Sequence, residues 1–231
     1  MTVLTAIQNV SASIALDRPE AVFSSAEREH FELQVMANTA GLYIAKDYEW
    51  QALKVVATLA GDGTKTAFDL PADYDRMLKA AELRSSRYIT SLAHIIDSDQ
   101  WLDMEIRQFN QVAGMWTLHG GQVHIRPAPA TGEEVKFFHM SKLWAKDDQS
   151  TLKGGFTKDT DTFRLSETLL ELCMIWKWRA QKGLPYAQDQ DNYEDAKEKL
   201  ITADKGSRII AVGRARRLLG DTPAYPVSIV P

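Results

Sequence analysis

Apolar residues near the N-terminus recur at helical spacing. Val3, Leu4, Ile7, Val10 and Ile14 predict a short amphipathic helix over residues 2–16, with Pro19 marking its end. Ser24 followed three residues later by Glu27 has the form of a capping box, in which hydroxyl and carboxylate each satisfy an orphan backbone donor. The helix it predicts runs to about Tyr48 and buries a stripe of Phe31, Val35, Met36, Leu42 and Tyr43.

The period then changes from near 3.6 to 2. Residues 54–59 and 64–70 flank Gly61-Asp62-Gly63 and predict a hairpin closed by Pro71, because glycine reaches positive φ without steric cost. A second hairpin is predicted around Gly120-Gly121. With a two-residue turn there, His119 pairs with Gln122 and Leu118 with Val123. Trp116, Leu118, Val123 and Ile125 then share the core face, while Thr117, His119, Gln122 and His124 share the wet one. Residues 134–140 add a further strand, so the middle of the chain is expected to form a small antiparallel sheet or sandwich.

Helix resumes at Ser166-Glu167 and continues to about Lys182, where Gly183 and Pro185 stop it. Trp176 and Trp178 lie about 200° apart on a helix of 3.6 residues per turn. With Leu169, Cys173 and Ile175 they place apolar surface on more than one side, so this helix requires two neighbours. A charged helix over residues 187–202 follows, with Tyr193, Ala196 and Leu200 as its narrow apolar stripe. The order of these segments predicts an α+β protein. Residues 1–52 and 160–204 form a helical bundle body, 53–159 an inserted antiparallel β domain, and 205–231 an extended C-terminal arm.

Composition sharpens the picture in the arm. The 231 residues carry a net charge of -4, which argues against a nucleic-acid binder that is basic throughout. Yet Lys205, Arg208, Arg214, Arg216 and Arg217 follow one another with no carboxylate among them, directly after the acidic Asp189, Asp191, Glu194, Asp195 and Glu198. Beyond them, prolines hold residues 221–231 extended, and Tyr225, Val227, Ile229 and Val230 offer apolar anchors to a groove or a sheet edge. The arginines suit carboxylates on a neighbouring protein surface better than phosphates. An arm that a compact domain does not need points to a partner, and so to assembly ahead of catalysis.

Candidate chemistry is sparse. Cys173, the only cysteine, sits in the apolar run 172–176 and reads as a buried thiol in a reducing compartment. His119 and His124 share a face but no cysteine or carboxylate joins them at a zinc spacing, so no metal ligand is assigned. Asp97, Asp99, Asp103 and Glu105 cluster around Trp101 and read as a solvated loop or helix face, matching neither an EF-hand nor a defined glycosidase pair. Walker, GxSxG, HExxH and GxGxxG motifs do not occur. No catalytic residue and no cofactor is assigned. Neither a basic leader with an apolar core nor a run of about 20 apolar residues occurs, which predicts a soluble chain made in the cytoplasm with no membrane partner.

Four segments taken in order carry a resemblance: residues 57–71 with their GDG turn and Phe68-Asp69-Leu70-Pro71 ending; His124-Ile125-Arg126-Pro127; Met174-Ile175-Trp176-Lys177-Trp178 with Lys182-Gly183-Leu184-Pro185-Tyr186; and Asp204-Lys205-Gly206-Ser207-Arg208. Together they resemble the head-to-tail adaptor proteins of tailed bacteriophages and related prophages. The resemblance implies a virion protein without enzymatic activity. It implies a homo-oligomeric ring, commonly of twelve subunits, docked beneath the portal protein at the head-tail junction and meeting tail or nozzle proteins below. Genomic DNA would pass through its lumen without sequence-specific binding. On this reading Trp176 and Trp178 serve subunit packing, and Arg208, Arg214, Arg216, Arg217, Tyr225, Val227 and Ile229 grip the portal or a neighbouring subunit. Two alternatives stay open: a tail-associated glycan hydrolase using a pair among the four acidic residues around Trp101, and a DNA-binding packaging factor using the arginines.

Overall fold

A computed structural model describes residues 2–107 and 114–205. In chain order the elements are α1 (Val3–Ser13), α2 (Arg28–Asp47), β1 (Lys54–Ala60), β2 (Ala67–Asp69), β3 (Tyr74–Met77), β4 (Arg84–Ser85), β5 (Ala93–His94) and α3 (Ser98–Arg107). After them come β6 (Met115–His119), β7 (Gln122–Arg126), β8 (Glu134–Ser141), β9 (Ala145–Lys146), β10 (Leu152–Lys153), β11 (Thr162–Phe163), α4 (Glu167–Gln181) and α5 (Ala187–Lys205). The protein is therefore α+β. Its described residues divide into two compact units, one holding 2–54 and 140–205, the other 55–107 and 114–139.

In the first unit α4 packs against α1, α2 and α5, as a helix apolar on more than one side must. Ser166 caps it by accepting the Leu169 N–H, and Gly183 ends it at φ +69°. The β-rich stretch read from the sequence extends to residue 159, but from Met140 onward the chain packs with the helices. There β10, β9 and β11 form a small antiparallel sheet around Trp144, whose ring meets Phe156 and Phe163 edge-on. Asn38 ties this sheet region to α2, accepting from Phe156 N–H at 2.8 Å and donating to Phe156 C=O at 3.2 Å.

Two expectations for α2 are corrected. The helix starts at Arg28, with Glu27 as its N-cap and no side-chain cap, so Ser24 does not open a capping box. Instead Ser25 Oγ accepts the Glu27 N–H and lies 2.7 Å from His30 Nδ1. The buried face is also rotated. Leu33, Met36, Ala37, Ala40, Gly41, Ile44 and Ala45 are buried, whereas Phe31, Val35, Leu42 and Tyr43 are exposed. Small side chains win the inward face because they let neighbours come close, Gly41 lying directly against the Trp144 ring.

The second unit holds two four-stranded sheets. One has the order β1-β8-β3, with β4 also on β8; the other runs β2-β7-β6-β5. Its core contains Leu83, Trp116, Val123, Ile125, Val135 and Phe137. The Gly120-Gly121 hairpin forms with the expected register, His119 opposite Gln122 and Leu118 opposite Val123, both glycines at positive φ. The hairpin expected across Gly61-Asp62-Gly63 does not form, since β1 pairs with β8 and β2 with β7. Gly61 N–H goes to Glu133 C=O, Gly63 N–H to Pro129 C=O, and Asp62 Oδ1 accepts from the Thr64 and Lys65 amides. Those bonds make the segment a crossing from one sheet to the other.

Candidate interaction surfaces

On α2, residues 31, 35 and 42 fall within one narrow stripe of a 3.6-residue helix. Phe31 is 62% exposed and Val35 51%. Phe31, Glu32, Val35, Met36, Thr39 and Gln181 line a depression of about 250 Å³ beside this stripe. Its edge is charged and ordered: Glu32 accepts from Lys182 Nζ at 2.7 Å and from Arg28 Nε at 3.1 Å, and these two cations hold its carboxyl below the usual carboxylate range. The sequence reading missed these residues as surface. The signal lay in the small residues Ala37, Ala40 and Gly41, which mark the face of closest packing and leave the bulky stripe for the outside.

The tryptophans of α4 have different surroundings. Trp178 is buried within this chain, with Lys182 Nζ 4.5 Å from its ring centroid. Trp176 is half-buried in an aromatic group with Tyr43, Tyr186 and Tyr193, their centroids 6.2–6.5 Å from its own. Lys177 Nζ lies 4.1 Å from the Tyr43 ring centroid and Lys197 Nζ 5.6 Å from that of Tyr193. Burial raises the Tyr193 phenol, and Tyr43, at the outer side of the group, is exposed. An ion pair from Lys197 to Asp47 ties α5 to α2, and Glu194 on α5 itself shares the ammonium.

In the second unit an apolar groove of about 430 Å³ opens on the face of the β1-β8 pair. Its lining includes Val56, Leu78, Ala80, Ala81 and Phe138, with Glu82, Arg84 and Lys136 at the rim. Val56 is 50% exposed and Phe138 54%.

The remaining sequence candidates are dispersed. Asp97, Asp99, Asp103 and Glu105 are exposed on or just before α3; Asp97 Oδ1 accepts the Asp99 amide and Glu105 pairs with Arg126 at 2.6 Å, while Trp101 is buried beneath. His119 and His124 stack with ring centroids 3.6 Å apart. Among the described residues no three of His, Cys, Asp and Glu come together as a metal site, and no helix is long and apolar enough to cross a membrane. Burial pushes the Cys173 thiol up to about 12. Arg208, Arg214, Arg216, Arg217, Tyr225, Val227 and Ile229 lie outside the described residues.

Set against known proteins, the chain matches the family described as SU10 adaptor protein over residues 1–223. No curated protein matches it significantly.

Proposed function

This chain belongs to the SU10 adaptor protein family, a bacteriophage structural family, and from that premise we propose that it assembles into a ring beneath the portal protein and extends the DNA channel toward the tail. The ring holds about twelve copies in this reading, carried over from the resemblance of the sequence to head-to-tail adaptors. The observation that carries the proposal is the bulky apolar stripe of Phe31, Val35 and Leu42 left on the outside of α2. A helix that leaves Phe31, Val35 and Leu42 in water, beyond the Leu33, Met36 and Ile44 it buries, presents a contact surface, because exposed apolar area gains most when a partner removes it from water. The stripe meets the next subunit of the ring, and the half-buried Trp176 with exposed Tyr43 broadens that contact. Trp178 supports the same contact from within, as part of the body that carries the stripe. The basic segment with Arg208, Arg214, Arg216 and Arg217, followed by Tyr225, Val227 and Ile229, reaches the portal or a neighbouring subunit. Tail or nozzle proteins dock below. The protein performs no catalysis, and the net charge of -4 suits a lumen through which DNA slides without sticking.

The test is assembly on the portal. The full chain with Phe31→Ser, Val35→Ser and Leu42→Ser is mixed with portal rings and imaged by electron microscopy beside the unmodified chain. All three positions are exposed, so the thermal midpoint should stay unchanged. Rings should form with the unmodified chain and fail with the variant; rings formed equally by both would remove the stripe from the interface.

A further inference from the structure

We infer that His119 and His124 form a two-imidazole site for zinc or a similar divalent transition-metal ion, at the turn end of the β6-β7 hairpin. His119 closes β6 and His124 is the third residue of β7; the register sets His119 opposite Gln122 and Thr117 opposite His124. The two histidines are therefore diagonal neighbours on one face of the sheet, a separation that two ring side chains can bridge. The rings do meet, with centroids 3.6 Å apart and planes inclined by 11°.

That spacing is close to the bite of a metal ion. An ion holding two imidazole nitrogens at about 2.1 Å each, with a tetrahedral angle between them, sets those nitrogens about 3.4 Å apart. Because the planes are nearly parallel, matching edges of the two rings already stand at close to that distance. A small splay about the χ2 bonds, which are soft rotations, turns one lone pair from each ring toward a common point. His119, exposed beside the turn, makes most of that rotation. His124 is half-buried and held, its ring edge-on to the buried Trp101 and hydrogen-bonded to the His119 backbone. A ring N–H given to a carbonyl leaves the other nitrogen as a lone-pair donor, which is the arrangement that orients a ligating imidazole.

Charge around the pair also suits a cation. Metal binding needs the imidazoles neutral, and burial, followed by the neighbouring His119, holds the His124 ring below its ordinary value. The Arg126 guanidinium nearby is offset by Glu105 at 2.6 Å. Asp69 stands in one row with Gln122 and His119 across β2, β7 and β6, and adds a carboxylate that accepts from Gln122 Nε2 at 2.7 Å. Imidazole is a good ligand for zinc, copper and nickel. With two side-chain ligands the ion keeps water in its other positions, and it clamps β6 to β7 across the Gly120-Gly121 turn.

The experiment titrates zinc chloride into the full chain at about pH 7.5, where imidazoles are mostly neutral, and follows the ring resonances of the five histidines by NMR, with calorimetry for the stoichiometry. One ion should bind per chain. The rings of His119 and His124 should shift together, while those of His30, His94 and His139 keep their positions. His119→Gln leaves a single imidazole and should weaken binding by more than about tenfold. The position is exposed, so the variant should keep its fold. On the unmodified chain, a shift confined to one of the two rings, or none up to about 1 mM zinc, overturns the inference. So does zinc bound as tightly by His119→Gln as by the unmodified chain.

Discussion

Gly41 faces the indole of Trp144 so closely that a Cβ built on it would lie 2.5 Å from Cζ3 and 2.8 Å from Cη2. In an exposed helix interior, Gly→Ala stabilises by about 1 kcal/mol. Here the added methyl strikes a ring that is itself boxed in by Phe156 and Phe163, so it cannot swing aside. Gly41→Ala should therefore destabilise the protein by about 2 kcal/mol and lower the thermal midpoint by about 6 °C. Replacing Trp144 by Phe in the same chain should recover part of that loss, and a double-mutant cycle read by calorimetry measures the coupling.

Asp161 has a side chain with no exposed surface, and it is fully engaged. It accepts from Lys153 Nζ at 2.9 Å and from the backbone amides of Thr157 and Lys158 at 2.6 and 3.0 Å. Burial alone would raise its carboxyl, but the Thr157 amide, the Lys153 ammonium and the Lys158 amide outweigh it and hold the group below its ordinary range. Its contribution to stability is present above the unfolded value near 3.9 and is lost as pH falls through the folded one. Asp161→Ala leaves two backbone amides without their acceptor and takes one partner from the half-buried Lys153 ammonium, which keeps Thr157 Oγ1, so urea unfolding at pH 7 should report a loss of about 2 kcal/mol. The variant should also show a flatter fall in stability below pH 4 than the unmodified chain.

The parts of this fold that were legible in the sequence are those where a local signal has a single physical solution. The Gly120-Gly121 turn fixes the register of β6 on β7, and Ser166 with Gly183 brackets α4. The Gly61-Asp62-Gly63 segment carries the same turn chemistry, but its amides are taken by Glu133 and Pro129, far along the chain, which no local pattern reveals. On α2, the predicted stripe put the buried Met36 together with Phe31, Val35, Leu42 and Tyr43, which are exposed, and periodicity did not say which side is inside. Bulk favours Phe31 and Val35, close approach favours Ala37, Ala40 and Gly41, and close approach prevailed. That inversion is also what turns a predicted core stripe into a candidate interface.

Cys173 offers a direct reading of how tightly α4 is packed. It is fully buried, and burial pushes its thiol up to about 12, so the thiolate that reacts with disulfide reagents is scarce at pH 8. A thiol-reactive chromophore should release less than one-tenth of an equivalent within minutes from the native chain and close to one equivalent in denaturant. Rapid full reaction in the native state would mean that α4 opens away from α1, α2 or α5 far more often than its burial implies.

The histidines of the second unit make its stability depend on pH with the same sign as Asp161 but in a higher range. His124 is held below its ordinary value, first by burial and then by the neighbouring His119, on which it stacks; His94, exposed on its strand, is lowered by the partial desolvation it meets where it stacks on Trp116, with ring centroids 4.0 Å apart. Both rings therefore take up a proton less readily in the fold than in the unfolded chain, whose value lies near 6.5. The unfolded state gains protons first as the solution is acidified. Stability from these groups is thus complete above about pH 6.5 and is lost as pH falls from there through the lowered folded values. Denaturant midpoints should drop between pH 7.5 and 5.5, and His94→Gln with His124→Gln should flatten that drop, whatever the cost of the lost stacking at pH 7.5. An identical slope in the double variant would move the pH dependence to other groups.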